Sequence, residues 1–212
     1  MNEKFFDLKK EKQDRMINAA LKVFALNGYR HASTDDIVRE AAISKGLLFH
    51  YFENKLGVYA FVYDYSVRYL LLELSTAVDA KETDLFTLMQ QVETGKMHAM
   101  CGYPYLQPFL NRAQAENVNE ALVAVEERKQ QMEEAYENIY ARADLGKYAA
   151  AEDVVKLRKM MELTIKGLMN ERILEDAFQP EMLYEEILEY LQLSRRLAGR
   201  SGQPSDEEIT EK

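Results

Sequence analysis

The sequence has few of the residues that cross-link or interrupt a fold. It contains no tryptophan, and its only cysteine is Cys101, so no intramolecular disulfide can form. Small secreted domains that depend on disulfides are therefore excluded. A single thiol suits a reducing environment, and we expect a cytoplasmic protein.

Long apolar runs are also missing. Lys, Asp and Glu are spread over residues 1–20, where an export signal would need an unbroken apolar segment. The richest apolar stretch, residues 58–74, is interrupted by Asp64, Arg68 and Glu73, whereas a membrane-spanning helix needs roughly 20 consecutive apolar residues. The sequence predicts neither an exported nor a membrane-spanning protein.

Proline and alternating β-branched runs are equally scarce. Only four prolines occur, and apolar residues recur at steps of three and four, which is typical of amphipathic helices. An all-α fold of about nine helices is therefore predicted. The predicted helices cover residues 9–27, 34–41, 45–51, 54–78, 83–100, a short stretch after Pro104, 117–143, 151–174 and 181–198. Residues 199–212 lack apolar periodicity and are predicted to be a disordered tail.

The charge is unevenly distributed. The whole chain carries a net charge of −9, which at first argues against binding to nucleic acid. Residues 1–55, however, hold ten Lys and Arg against eight acidic residues, a net charge of +2, so the remaining residues carry −11. Such a basic N-terminal part can approach DNA while the acidic body is repelled from the phosphates.

Residues 33–55 have the spacing of a helix-turn-helix. Two short helices, the first capped by Ser33 or Thr34 and the second by Ser44, are separated by a turn and flanked by longer helices. The residues expected to pack inward are Ile37, Ala41, Ile43, Leu48 and Phe52. The residues left facing outward on the second short helix are Lys45, Gly46, Leu47, Phe49 and His50.

This stretch resembles the DNA-binding domain of TetR-type repressors. The residues that match the family pattern are Thr34, Ile37, Ala41, Ile43, Ser44, Gly46, Leu48, Tyr51, Phe52 and Lys55. The resemblance covers about residues 10–60, and the later helices match only in number, length and order. It implies a helix-turn-helix domain over residues 1–55, a helical effector-binding and dimerisation domain over residues 56–198, and no enzymatic activity or cofactor. The implied protein is a homodimeric repressor that leaves a pseudo-palindromic DNA operator when a small, mostly apolar effector binds.

Two positions depart from the family pattern. Ala42 stands where the family usually has glycine. If the backbone of this turn has a positive φ, alanine costs about 1 kcal/mol there; alternatively, the turn is helical. Leu47 and Phe49 replace the more frequent threonine and tyrosine. Contacts to DNA at these two positions would then be apolar contacts to a thymine methyl group.

Chemistry suggests roles for the matching residues, although each also has a plain structural explanation. Ser33, Thr34 and Ser44 stand at helix N-termini, where hydroxyl and N–H groups bind phosphate. Lys55 is predicted to bind a second phosphate, Tyr51 and His50 to donate to the DNA backbone, and Lys45 to read guanine. Alternatively, Ser44 is only a cap, Tyr51 belongs to the core, and Lys45 and Lys55 are solvated charges.

The later helices carry two further predictions. An effector pocket is expected among adaptable and aromatic side chains, with Glu93 or His98 as polar anchors. The expected pocket residues are Met97, Met100, Tyr103, Phe109, Met132 and Tyr136. The last two helices are expected to form a four-helix bundle across a two-fold axis. Its predicted interface residues are Leu157, Met161, Ile165, Leu168, Leu183, Ile187 and Leu191.

Signals for catalysis or metal binding are weak. His98 and Cys101 lie three residues apart, but no second Cys or His pair completes a metal site. The glycines are scattered, so no phosphate-binding loop is predicted. Two alternatives stay open: a helical ligand-binding or enzymatic protein with a vestigial N-terminal domain, and a structural DNA-binding protein without an effector.

Overall fold

The computed structural model describes residues 3–148, 150–174 and 178–199. Over these ranges the chain forms nine α-helices and no β-strand, which confirms the predicted all-α class. The helices are α1 (Lys10–His31), α2 (Thr34–Glu40), α3 (Lys45–Phe52), α4 (Lys55–Ala77), α5 (Leu85–Gly102), α6 (Leu106–Gln114), α7 (Asn119–Tyr140), α8 (Ala151–Arg172) and α9 (Pro180–Ala198). Among the helices of the described part, none combines the length and apolar character that spanning a membrane requires. Residues 200–212, most of the predicted tail, lie outside the described residues.

Side-chain caps fix where the helices of the N-terminal domain begin. The Ser33 hydroxyl accepts a hydrogen bond from the Asp35 N–H at 3.1 Å, and the Ser44 hydroxyl accepts one from the Leu47 N–H at 3.2 Å. Such caps satisfy N–H groups that have no partner in the first helical turn. Ser33, and not Thr34, is therefore the cap of α2.

Helix α1 is interrupted where the sequence predicted its end. Gly28 has a φ of 67° and a ψ of 175°, which breaks the helical backbone, and a last short segment then runs to His31. A side chain would be strained at this φ, so glycine suits the position. Helix α1 packs against α4 and α6.

The residues predicted to pack inward from α2 and α3 join a large core that includes residues of α1 to α7. Ile37, Ala41, Leu48 and Phe52 are buried, and Ile43 packs against them. This arrangement holds α2 and α3 at a fixed angle, because small and large side chains interlock between the two helices.

One aromatic residue in this core was not predicted. Phe5, in a 3-10 turn before α1, is fully buried, and its ring lies 5.3 Å from that of Phe52 and 4.9 Å from that of Phe61. It therefore ties the start of the chain to α3 and α4. A single aromatic outside any periodic segment gives no pattern from which burial can be predicted.

A second core joins α5, α8 and α9. It contains most residues that the sequence analysis assigned to the dimer interface: Met161, Ile165, Leu183, Ile187 and Leu191 are buried within one protomer, and Leu157 and Leu168 pack against them. These seven residues are therefore not a free surface. Their periodicity marks the faces that α8 and α9 turn toward each other and toward α5.

Asp84 anchors this second core. Its carboxylate accepts hydrogen bonds from the Thr87 N–H at 2.9 Å and from the Arg195 guanidinium at 2.5 Å, so it caps α5 and holds α9. Burial alone would raise the pKa of Asp84, but these donors outweigh it and the pKa lies below its ordinary value.

Candidate functional site

Helix α3 presents its N-terminal half to solvent. Lys45, Gly46 and His50 are exposed, and Leu47 and Phe49 are half-buried. A Cβ atom added at Gly46 would meet no other atom within 4 Å, so the first turn is open. This face has room to approach the edges of bases in a major groove.

The N-termini of α2 and α3 present polar groups beside this face. Ser44 is exposed, and Ser33 and Thr34 are half-buried. The hydroxyl oxygens of Ser33 and Ser44 accept bonds from their own helices, which leaves their hydroxyl hydrogens free to be donated. Together with the positive ends of the two helix dipoles, these groups suit phosphate.

Lys45 is held beside the preceding helix, α2. Its ammonium group lies 2.8 Å from the Asp35 carboxylate, and both side chains are more than half exposed. An exposed ion pair contributes roughly 0–1 kcal/mol. The pair therefore orients Lys45 but does not prevent it from turning toward a base.

Lys55 has a role that the sequence did not reveal. Its ammonium group donates to the carbonyl oxygens of Tyr29, Arg30 and Ala32 at 2.9, 3.4 and 3.3 Å, and it lies 4.5 Å from the centre of the Tyr29 ring. These carbonyls belong to the C-terminal end of α1, where the helix dipole is negative. Lys55 thus ties α4 to α1, and its contact with a phosphate stays a prediction.

Tyr51 occupies the border between surface and core. It is half-buried, and its ring packs edge-on against Phe5 at 5.8 Å and against His50 at 4.9 Å. The apolar part of Tyr51 therefore supports the core, which was the structural alternative for this residue.

The turn between α2 and α3 has the positive φ that was one of two alternatives. Ala42 has a φ of 51° and is exposed. The left-handed region is costly for a residue with a Cβ atom, so the alanine is strained where glycine would not be.

The residues predicted to line an effector pocket lie in different places. Phe109 and Met132 are buried in the core that includes residues of α1 to α7, and Met100 is buried in the core of α5, α8 and α9. Met97 is half-buried on α5. Tyr136 alone among the six lines the cavity described below.

Tyr103 joins the two domains. Its hydroxyl donates to the Asp14 carboxylate at 2.6 Å, lies 2.6 Å from the Tyr65 hydroxyl and accepts from Lys10 at 3.0 Å. Burial and then the hydrogen bond to Asp14 raise the pKa of Tyr103, so the hydroxyl stays neutral. Its contacts are all within the chain, and they link α1 to α4 and to the end of α5.

A cavity of about 200 Å³ lies between α5, α6, α7 and α8. Most side chains around it are polar or charged, whereas the sequence analysis expected an apolar pocket. The polar and charged lining residues are Glu93, Lys96, Gln107, Asn111, Gln114, Arg158, Glu162 and Lys166. The remaining wall is formed by Met89, Tyr136, Tyr140, Ile165 and Met169. Polar residues so far apart in sequence show no common pattern until the helices are packed.

Two charged residues of α5, one buried and one half-buried, line this cavity. Glu93 is only 5% exposed, and its carboxylate lies 2.7 Å from the Lys96 ammonium group. Burial alone would lower the pKa of Lys96, but Glu93 outweighs this effect and raises it, so the ion pair persists. Glu93, named from the sequence as a polar anchor, is therefore at the cavity, whereas His98 is exposed and lies 3.9 Å from Glu73.

Two polar atoms at the cavity have no partner within the described part of the chain. The Gln107 side chain donates to the Asn111 amide oxygen at 2.9 Å, but its own amide oxygen is buried and accepts no hydrogen bond. The Tyr136 hydroxyl is buried and unpartnered in the same way. Buried polar atoms are normally hydrogen-bonded, so two such atoms at one cavity require an explanation.

The pair of residues considered for a metal is otherwise engaged. The Cys101 thiol lies 3.3 Å from a Glu181 carboxylate oxygen. Over the described ranges, no group of three or more His, Cys, Asp and Glu side chains is placed to hold a metal ion.

Comparisons with known proteins agree on one family. Residues 16–60 match the family model described as bacterial regulatory proteins, tetR family. The chain is 36% identical over 78 residues to the uncharacterized HTH-type transcriptional regulator YuxN of Bacillus subtilis, which is 35% of this chain and 26% of that protein. It is 41% identical over 49 residues to the uncharacterized HTH-type transcriptional regulator TtgW of Pseudomonas putida, which is 23% of this chain and 37% of that protein. These matches thus cover only about a quarter to a third of the curated relatives' length.

The whole fold also has solved counterparts. A TetR family transcriptional regulator from Chloroflexus aurantiacus aligns over 92% of both chains with a TM-score of 0.55 and 23% sequence identity. At this identity the likeness concerns the fold alone. The relatives named here are described as transcriptional regulators. The match to the tetR family model thus falls on the capped helix pair, and the fold around it is shared with a TetR family regulator of known structure.

Proposed function

We propose that the protein is a homodimeric repressor that holds a pseudo-palindromic DNA operator and leaves it when a small molecule binds. The observation that carries the DNA-binding part is the open N-terminal half of α3, which projects from a rigid, capped helix pair. Residues 1–55 are also the part of the chain with a net positive charge, +2 against −11 for the rest.

In this proposal α3 reads the bases in a major groove. Lys45 reaches guanine after leaving its exposed partner Asp35, and Leu47 and Phe49 pack against thymine methyl groups. Ser33, Thr34 and Ser44 set the register of the protein by binding phosphates through hydroxyl and N–H groups. His50, exposed in the last turn of α3, donates to the DNA backbone, as does Tyr51 through its hydroxyl.

The dimer is proposed to use the outer faces of α8 and α9, since the inner faces are occupied within one protomer. Large apolar side chains stay exposed along these outer faces: Met160, Leu163, Met182, Tyr190, Leu193 and Leu197. Within each helix most of them are spaced by three, four or seven residues, so they form continuous stripes. A Cβ atom added at Gly167 on α8 would meet no other atom within 4 Å, so this position offers room for the close approach of a second copy.

Two helices connect the cavity to the DNA-binding domain in this proposal. Helix α4 belongs to both domains, and its Asp64 forms ion pairs with Arg68 on the same helix and with Arg128 on α7. Helix α6 packs along α1, with the Phe109 ring 6.0 Å from that of Phe24. The sequence analysis expected coupling through α4 alone, and α6 is a second route.

Glu116 strengthens the route through α6. Its carboxylate, in the segment after α6, accepts hydrogen bonds from the N–H groups of Tyr29 at 2.9 Å, Asn117 at 2.9 Å and Val118 at 3.0 Å. Burial alone would raise the pKa of Glu116, but these backbone donors outweigh it and the pKa is lowered. A shift of α6 would therefore move the end of α1, and Lys55 of α4 is bonded to that same end. Such a shift alters the spacing of the two α3 helices, which must match major grooves about 34 to 36 Å apart.

Selection of bound fragments from genomic DNA tests the proposal. The purified chain should enrich sites with two-fold symmetry, including one beside its own gene, and a reporter under such a site should be silenced by the chain. Lys45→Ala should lower affinity most for sites with the preferred guanine, by about 1–3 kcal/mol. Lys81→Ala, an exposed lysine in the loop after α4, is the control and should change little.

Leu47 allows a test at the level of single atoms. Replacing the contacted thymine by uracil removes only its methyl group, so it should weaken binding by the wild type and change little in Leu47→Ala. Equal losses on every DNA sequence for Lys45→Ala and Leu47→Ala would refute base reading by α3. No sequence-selective binding by the wild type would refute the proposed function itself.

A further inference from the structure

The cavity between α5, α6, α7 and α8 is built for a polar ligand. The Gln107 amide oxygen is buried and unpartnered, in a side chain that is only 6% exposed, and the Tyr136 hydroxyl is likewise unpartnered among the described residues. A buried acceptor without a donor is unfavourable, so a ligand that donates a hydrogen bond to Gln107 removes that cost. The ligand therefore carries an N–H or O–H group.

The charges around the cavity favour an anion. Three cationic residues line it, Lys96, Arg158 and Lys166, against two carboxylates, Glu93 and Glu162. Glu93 is paired with Lys96 at 2.7 Å, and Glu162 with Arg158 at 3.0 Å.

Lys166 is the cation left over at the rim. It donates to the Gln114 amide oxygen at 3.0 Å, and no carboxylate of the described part lies within 4 Å of it. An anionic group at the rim would thus meet an available positive charge.

The size and the walls of the cavity restrict the body of the ligand. Its volume of about 200 Å³ is below the roughly 300–1,000 Å³ of pockets for drug-sized molecules. Tyr136 and Tyr140 offer aromatic surfaces, and Met89, Ile165 and Met169 offer apolar ones. A single small ring or branched chain fits such walls.

We propose that this cavity binds a small organic acid that carries a hydroxyl or amino donor, with the donor bonded to the Gln107 amide oxygen and the carboxylate held at the rim by Lys166. This assignment rests on the proposed effector-responsive function and names the chemistry of its effector. It replaces the mostly apolar effector expected from the sequence.

The ligand also touches the helix that reaches the DNA-binding domain. Gln107, Asn111 and Gln114 lie on α6 and line the cavity, whereas Phe109 on the same helix packs against α1. A donor bound to Gln107 therefore acts on α6 directly.

Calorimetric titration of the full chain, without DNA, tests the ligand chemistry with matched probes. The probes are 3- and 4-hydroxybenzoate, benzoate, which lacks the donor, and phenol, which lacks the carboxylate. At least one hydroxybenzoate should bind saturably with one site per chain, about tenfold or more tightly than benzoate and than phenol. The proposal would be overturned if benzoate or phenol bound as tightly as both hydroxybenzoates, or if neither hydroxybenzoate bound.

Variants locate the contacts. Gln107→Leu should abolish the advantage of hydroxybenzoate over benzoate, whereas Gln90→Leu, an exposed glutamine on α5, should preserve it. Lys166→Gln should abolish the advantage over phenol, whereas Lys156→Gln, an exposed lysine nearer the start of α8, should not. Unchanged selectivity in Gln107→Leu and Lys166→Gln would place the ligand elsewhere and refute the assignment.

The release of DNA is measured separately. Hydroxybenzoate binding that leaves operator affinity unchanged would uphold the ligand chemistry and refute the effector role. Sequence-selective DNA binding by a chain that binds neither hydroxybenzoate would uphold the DNA-binding function and refute the ligand chemistry.

Discussion

Replacing Ala42 by glycine is expected to stabilise the protein. Ala42 has a φ of 51° in the turn between α2 and α3, and the left-handed conformation costs a residue with a Cβ atom about 1–2 kcal/mol. Glycine removes this cost but adds about 0.5–1 kcal/mol of backbone entropy to the unfolded chain. Because Ala42 is exposed, no packing is lost. The free energy of unfolding should therefore rise by roughly 0.5–1 kcal/mol.

The neighbouring alanine provides the matched control. Ala41 has a φ of −75° and is fully buried, so Ala41→Gly loses the burial of a methyl group, about 0.8 kcal/mol, and adds the same unfolded-state entropy. It should lower the free energy of unfolding by roughly 1–2 kcal/mol. The two adjacent substitutions are thus expected to act in opposite directions.

Urea-induced unfolding followed by circular dichroism measures both effects, at one fixed protein concentration because association changes apparent stability. A 1 kcal/mol change corresponds to about 2–4 °C in Tm for a chain of this size. Ala42→Val should be destabilising, since a β-branched residue tolerates positive φ poorly. If Ala42→Gly lowered stability as much as Ala41→Gly, the turn would not be left-handed and the reasoning would be refuted.

Five other substitutions test the packing. Lys55→Met should lower the free energy of unfolding by about 1–3 kcal/mol, because it removes charge-assisted bonds to the end of α1. Unchanged stability together with uniformly weaker DNA binding would instead indicate that Lys55 binds a phosphate. Leu163→Glu combined with Leu193→Glu should give a folded monomer in sedimentation velocity, whereas Ile165→Glu should unfold the chain. A double variant that is still a dimer would show that the interface lies elsewhere. Asp84 stabilises the fold when ionised, because its pKa is lower folded than unfolded; this stability is present above its ordinary pKa and is lost as the pH falls through the folded value. In Asp84→Asn the free energy of unfolding should therefore fall less steeply as the pH is lowered below the ordinary pKa of an aspartate. The same acid dependence as in the wild type would contradict this.

Local signals in the sequence determined the all-α fold class and the position of the helix-turn-helix. Hydroxyl and amide caps at Ser33, Ser44 and Asn54 act within three residues of their own position, so their effect on helix starts is visible without a fold. The spacing of Ile37, Ala41 and Leu48 likewise predicted which sides of two short helices face each other.

Only the tertiary structure decided what the long helices do. Periodicity shows that α8 and α9 each have an apolar face, but not whether that face meets another helix of the same chain or a second copy, and here it meets α5. The sequence analysis assigned Lys55 to a phosphate on the basis of its charge. That charge does not reveal the three carbonyl oxygens to which Lys55 donates, since they belong to residues 23 to 26 positions earlier in the chain. The polar cavity draws on four helices, and residues separated by up to 80 positions, such as Met89 and Met169, share no sequence pattern. Contacts of this kind depend on how whole helices pack, and that packing is a property of all the interlocking side chains together.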